Sequence, residues 1–166
     1  MKGESECDCV KKIGILTFHK SINYGSVLQA FALSDLLSKR GYAVEIIDYE
    51  PASYSIQYRI FEKNTSVHNV AANIRRLSVF DILWKQKKGF EKFREEHLPL
   101  SACKFTRASS PQEFSKYYGA VICGSDQIWN VTAKDCDPIF FLPGKQSYKK
   151  IAYAASVNTA TYKEDV

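Results

Sequence analysis

Residues 12–49, KIGILTFHKSINYGSVLQAFALSDLLSKRGYAVEIIDY, read as strand, loop, helix, tight turn and strand, one complete βαβ unit. Ile13, Ile15, Leu16 and Phe18 make a nearly continuous apolar run, the signature of a strand in a parallel sheet covered on both faces. Ser26 and Gln29 stand at capping-box spacing, which predicts a helix opened by Ser26. Val27, Ala30, Leu33 and Leu37 recur at helical spacing, with Phe31 widening the face toward the sheet. Lys39, Arg40 and Gly41 supply a cationic last turn and a left-handed stop. Residues 43–47 form the second apolar strand. Ligands of open parallel sheets gather at the carboxyl ends of strands, so the loop HKSINYG, residues 19–25, is the first place to look for function.

A chain of 166 residues with 10 Tyr and 10 Phe can bury its own core as one domain. A net charge of +5 suits an anionic small ligand and is too dispersed to argue for nucleic acid. No apolar run approaches the ~20 residues of a membrane span, and the acidic start MKGESECDC is no signal peptide. Five cysteines without a disulfide rhythm place the expected chain in the cytoplasm with reduced thiols. Cys7 and Cys9 lack a second pair at zinc spacing, so no metal site is expected.

Residues 1–10 read as a disordered tail and residues 11–166 as the folded domain. A helical insertion is expected at about 54–110, with a polar tyrosine-rich loop at 52–66 and helices at 69–77 and 80–96. Ser110, Pro111 and Glu113 spell a helix start. Residues 120–123 read as a buried strand, with residues 124–130, GSDQIWN, as its carboxyl-end loop. Residues 151–157, IAYAASV, form a further strand. The fold class is α/β: a three-layer Rossmann-like domain with a mostly parallel sheet, ordered second, first, third, fourth strand.

Three loops, 19–25, 124–130 and 156–159, each follow a parallel strand and are expected to emerge on one sheet edge. They gather His19, Lys20, Asn23, Tyr24, Gly25, Ser125, Asp126, Gln127, Asn130, Ser156 and Asn158. Asp126 is the only carboxylate among them, and two roles stay open for it: general acid/base, or an Asx turn holding the loop. A lone loop histidine such as His19 is more often solvated than a proton shuttle. Asp48 sits where a ribose-binding acid would, but the first loop lacks GxGxxG, which argues against a dinucleotide. Cys123, inside an apolar strand, reads as a core thiol, and Trp129 as a core anchor.

Residues 23–33, NYGSVLQAFAL, with residues 124–130 and 150–156, KIAYAAS, resemble the polysaccharide pyruvyl transferase family in three blocks and in order. The resemblance implies two Rossmann-like halves facing a cleft, as in GT-B glycosyltransferases. It also implies transfer of pyruvate from phosphoenolpyruvate to sugar hydroxyls of a bacterial-type surface polysaccharide, giving a ketal. No metal or cofactor is implied beyond phosphoenolpyruvate as donor substrate. Family members are longer, and their arginine and histidine donors to phosphoenolpyruvate lie mainly in the second half. The chain therefore reads as an excised or truncated first half, with the C-terminal half missing. Asn23, Tyr24, Gly25, Asp126, Gln127 and Asn130 then belong to its acceptor side. Alone it is expected to be inactive, and its exposed interdomain surface to favour a homo-oligomer. The rival readings are half of a sugar-nucleotide glycosyltransferase and a non-catalytic sugar- or protein-binding module.

Overall fold

The computed structural model describes residues 11–51, 73–74, 76–132 and 136–157. Five strands, β1 (Lys12–Leu16), β2 (Val44–Glu50), β3 (Leu100–Thr106), β4 (Tyr118–Gly124) and β5 (Lys149–Tyr153), form one sheet ordered β3-β2-β1-β4-β5. Every neighbouring pair is parallel. The inner order β2-β1-β4-β5 is the one expected from sequence. The edge strand β3 lies within the segment read as a helical insertion. Its sequence LSACKFT buries only Ser101 and Phe105, so no apolar run announces it. The expected tail at 1–10, the loop at 52–66 and most of the helix at 69–77 lie outside the described residues.

The chain leaves β1 for α1 (Tyr24–Lys39) and returns to β2 on one side, while β4 lies on the other. That reversal makes the crevice between the β1 and β4 ends the topological switch point. α1 begins earlier than the capping-box spacing suggests. Asn23 is extended (φ −134°, ψ 121°) and its side chain accepts from the Gly25 N–H, so Asn23 and not Ser26 is the cap. Ser26 is instead buried within the first turn. At the other end Gly41 takes φ +88° and its N–H bonds Ser38 O at 2.9 Å, the expected left-handed stop.

Alternation divides the core between the two sheet faces. Ile15, Ile46 and Ile122 meet Val27, Ala30 and Leu33 of α1 and Phe90 of α2 (Phe80–His97). Each of these Ile, Val, Leu and Phe side chains, fully buried, contributes about 2 kcal/mol. Leu16, Ile47, Val121 and Cys123 face the other way, under Phe114, Ile139, Phe140 and Tyr148. That second layer is built from 3₁₀ turns. One, Pro111–Lys116, has the capping box expected of Ser110 and Glu113. The other, Pro138–Phe141, is fixed by Asp137, whose carboxylate accepts from Ile139 N–H at 3.1 Å and from the Tyr49 hydroxyl at 2.7 Å. Burial and that bond to Asp137 hold the Tyr49 phenol well above its usual range. Among the described residues no helix is long and apolar enough to cross a membrane.

Candidate functional site

β1, β4 and β5 lie side by side, with Leu16 opposite Cys123 and Gly124 opposite Tyr153. Their following loops therefore leave the same edge. The tightest convergence is between β4 and β5. Gly124 (φ +134°) and Ser125 (φ +69°) turn the chain so that Ser125 N–H donates to Tyr153 O at 2.7 Å. Ser156 N–H then donates to Asp126 O at 3.0 Å. Ala154 at φ +49° ends β5 and folds residues 155–157 back onto this loop, so the strand stops short of the expected residue 157.

Ser125, Asp126 and Ser156 are thus joined directly. Beyond them the chain runs through bends and turns. Asp126 Oδ1 accepts from the Gln127 N–H at 2.7 Å. Its Oδ2 is covered by protein and receives no hydrogen bond among the described residues. Gln127 is exposed, and Asn130 is buried in its own turn, its Oδ1 accepting from Thr132 N–H and Oγ1. Asn158 lies outside the described residues.

On the β1 side, Asn23, Tyr24 and Gly25 are exposed at the start of α1, and Tyr24 rests its ring 4.8 Å from that of Phe90. No hydrogen bond links residues 23–25 to residues 124–127, so these two groups share the edge without touching through polar contacts. His19 is not a solvated loop residue. It is 1% exposed, with Nε2 3.2 Å from Asp48 Oδ1 and Nδ1 3.2 Å from Thr17 O. Lys20 Nζ lies 2.7 Å from Asp48 Oδ1 and 3.0 Å from Glu50 Oε2. Burial alone would raise the Asp48 carboxyl, but hydrogen bonds from His19 and Lys20 and the Lys20 charge outweigh it and hold the group well below its usual range. The sequence places Asp48 at a strand end; its partners 28 and 29 residues away become visible only in the fold. Thr17 was also missed, a 3%-exposed residue just after β1 whose Oγ1 has no hydrogen-bond partner among the described residues.

Cys123 and Trp129 are core residues as expected, both donating to Phe140 O. Burial pushes the Cys123 thiol up to about 12, so the reactive thiolate is scarce at neutral pH. Iodoacetamide is accordingly expected to label exposed Cys103 on the folded chain and spare Cys123 until unfolding. Peptide mass mapping checks this, and early labelling of Cys123 would contradict it. Among the described residues no three His, Cys, Asp or Glu side chains are grouped to hold a metal ion.

A parallel α/β sheet with a switch point beside β1 and polar loops on its carboxyl edge defines a Rossmann-like domain. Its lineage is narrower than that. The polysaccharide pyruvyl transferase family model matches residues 23–165, and the chain belongs to that family. No curated protein and no solved structure matches it.

Proposed function

We propose that this chain forms the acceptor-side wall of an enzyme that transfers pyruvate from phosphoenolpyruvate to a polysaccharide as a ketal. Family membership supports the polysaccharide acceptor. The observation that carries the chemical role is the position of Asp126, a half-buried carboxylate in the loop after β4 on the edge where the β1, β4 and β5 loops leave the sheet. In the reaction, C3 of the enolpyruvyl group takes a proton and becomes a methyl. One sugar hydroxyl adds to C2 and gives up its proton. A second hydroxyl of the same sugar then adds to C2 as the bond to phosphate breaks, and its proton leaves with the phosphate.

Asp126 is the base that receives a hydroxyl proton. Ser125, Gln127, Ser156 and the Asn23–Tyr24–Gly25 start of α1 line the acceptor's path. Cations facing this wall would hold the donor's phosphate and carboxylate. No cofactor beyond the donor is needed for these steps. Free thiols at Cys103 and Cys123 suit a reducing compartment, and we place the reaction in the cytoplasm.

The test is Asp126→Asn in a protein that carries both walls, assayed by phosphate release and pyruvate incorporation. The expected loss at saturating substrates is about 100-fold or more. Near-unchanged turnover would leave Asp126 as a residue that only shapes the loop.

A further inference from the structure

We propose that the cavity at the carboxyl ends of β2 and β3 is a subsite for an acidic sugar residue of the acceptor. Arg107 holds the sugar's carboxylate, and Asp137 and Tyr49 take its hydroxyls. The proposal rests on reading the acceptor as a polysaccharide, and not on the role of Asp126. Every neighbouring pair of strands is parallel, so the chain leaves β2 and β3 on the edge that carries the loops after β1, β4 and β5. Tyr49 and Glu50 pair with Phe105 and Thr106 at that end, and Arg107 is the first residue beyond β3. The cavity there has a volume of about 200 Å³, and the turn Pro138–Phe141 supplies part of its wall.

Its lining offers acceptors and donors together. Tyr49 and Asp137 are 2% and 7% exposed, and the Tyr49 hydroxyl donates to Asp137 Oδ2 at 2.7 Å. Ile139 N–H occupies one lone pair of Oδ1, so each carboxylate oxygen keeps acceptor capacity, as does the Tyr49 oxygen. The donors are Arg107 and Ser109. Ser109 Oγ accepts from Thr106 N–H at 3.2 Å, which leaves its hydroxyl proton for a ligand. Arg107 makes no ion pair among the described residues. Its charge still reaches the Tyr49 phenol, where it opposes the upward push of burial and Asp137.

That mixture selects the ligand. A group made only of acceptors, such as a phosphate, suits Arg107 but sets its oxygens against Asp137. A neutral sugar satisfies Asp137 and gains nothing from the guanidinium's charge. A sugar that carries a carboxylate meets both, with paired N–H···O bonds at Arg107 and hydroxyl donors at Asp137. Pro111 and Pro138 add apolar surface for the C–H face of the ring. The position also fits a chain of sugars. The turn that begins beside Asp137 meets the loop after β4 at its other end, where Trp129 Nε1 donates to Phe140 O at 3.1 Å. β2 lies two strands from β4, about 10 Å at the usual spacing. A neighbouring residue of the same polysaccharide would lie there, on the edge shared with Asp126. Its carboxylate belongs to a uronic acid or to a pyruvate ketal already in place; both present the same group.

The experiment titrates the ¹⁵N-labelled chain with methyl glucuronide, the pyruvate ketal of methyl galactoside, methyl glucoside and phosphoenolpyruvate. Amide spectra follow Arg107, Ser109 and Ile139. The expected result is a saturable shift of all three with one or both acidic sugars. Methyl glucoside should bind at least about tenfold more weakly, the worth of one charge-assisted contact. Whichever acidic sugar binds more tightly identifies the source of the carboxylate. Arg107→Ala, a change at an exposed residue, is expected to lose the preference while the sheet amides stay in place. Arg107→Lys keeps the charge without the planar fork and should retain only part of it. No saturable shift with either acidic sugar overturns the proposal, and the wild-type spectra alone decide that. Equal binding of methyl glucoside overturns it as well. Tighter binding of phosphoenolpyruvate at the same amides also overturns it and makes the cavity a donor site. Turnover is not read, so the outcome is separate from the effect of Asp126→Asn on transfer.

Discussion

Replacing Gly124 by alanine is expected to cost about 4 kcal/mol, a large part of the stability of an ordinary domain. Two effects add. At φ +134° an L side chain is strained whatever space surrounds it, by about 1–3 kcal/mol. Here there is no space either: a Cβ would sit 2.1 Å from Tyr153 O and 3.0 Å from Tyr153 C. Both obstacles are backbone, so no rotamer change relieves them. The β4 and β5 ends would have to part, breaking the 2.7 Å bond from Ser125 N–H to Tyr153 O. Gly41→Ala is the natural control. Gly41 also has positive φ, at +88°, but nothing lies within 4 Å of a Cβ there. It is expected to lose only about 1 kcal/mol, the left-handed strain alone. Urea unfolding of the two variants reads the difference as a shift in midpoint at constant slope. Equal losses would show that the β4–β5 edge can open at little cost, and would remove the support for a rigid Asp126.

The same contrast explains which parts of the fold were legible in the sequence. β1, α1 and β2 were readable because strands covered on both faces need unbroken apolar runs, and a helix against them needs a stripe. Ile15, Ile46 and Val27 meet in one core cluster, so local pattern and tertiary packing say the same thing. β3 was unreadable because an edge strand that buries two residues in seven carries almost no pattern. The second layer was readable only in part, at the Ser110 and Glu113 capping box. Its cover comes from 3₁₀ turns at Pro111–Lys116 and Pro138–Phe141, too short to show a period.

For the site, topology was the legible part and side-chain direction was not. Parallel order alone places the loops after β1, β4 and β5 on one edge. Nothing local says that His19 turns inward while Tyr24, five positions on, is 68% exposed. That direction is set by Asp48, a carboxylate whose burial is tolerable only with cations beside it. The loop's shape is therefore decided by a residue on another strand, and the sequence around HKSINYG does not contain it.

Asp48 should then be the residue whose removal is felt most widely at this end of the sheet. Asp48→Ala is expected to destabilise the chain by about 3 kcal/mol, since it strands a buried imidazole and takes one of two carboxylates from Lys20. The figure sits at the low end for a broken buried pair because Lys20 keeps Glu50 at 3.0 Å. The ionic part can be separated by pH. The Asp48 carboxyl is held below its ordinary range in the folded chain. The unfolded chain therefore takes up this proton first as pH falls. The stabilisation is whole above the unfolded value of about 4 and drains away as pH drops below it toward the folded value. In wild-type protein the urea midpoint should fall steeply between about pH 4 and 2, and in Asp48→Asn that limb should be shallower, because residue 48 no longer titrates. The asparagine keeps an oxygen for His19, so its loss at pH 7 should be smaller than that of alanine. Parallel acid limbs in wild type and Asp48→Asn would mean that other carboxylates dominate the acid response. An alanine variant as stable as wild type would mean that His19 and Lys20 hold the loop after β1 without their shared carboxylate.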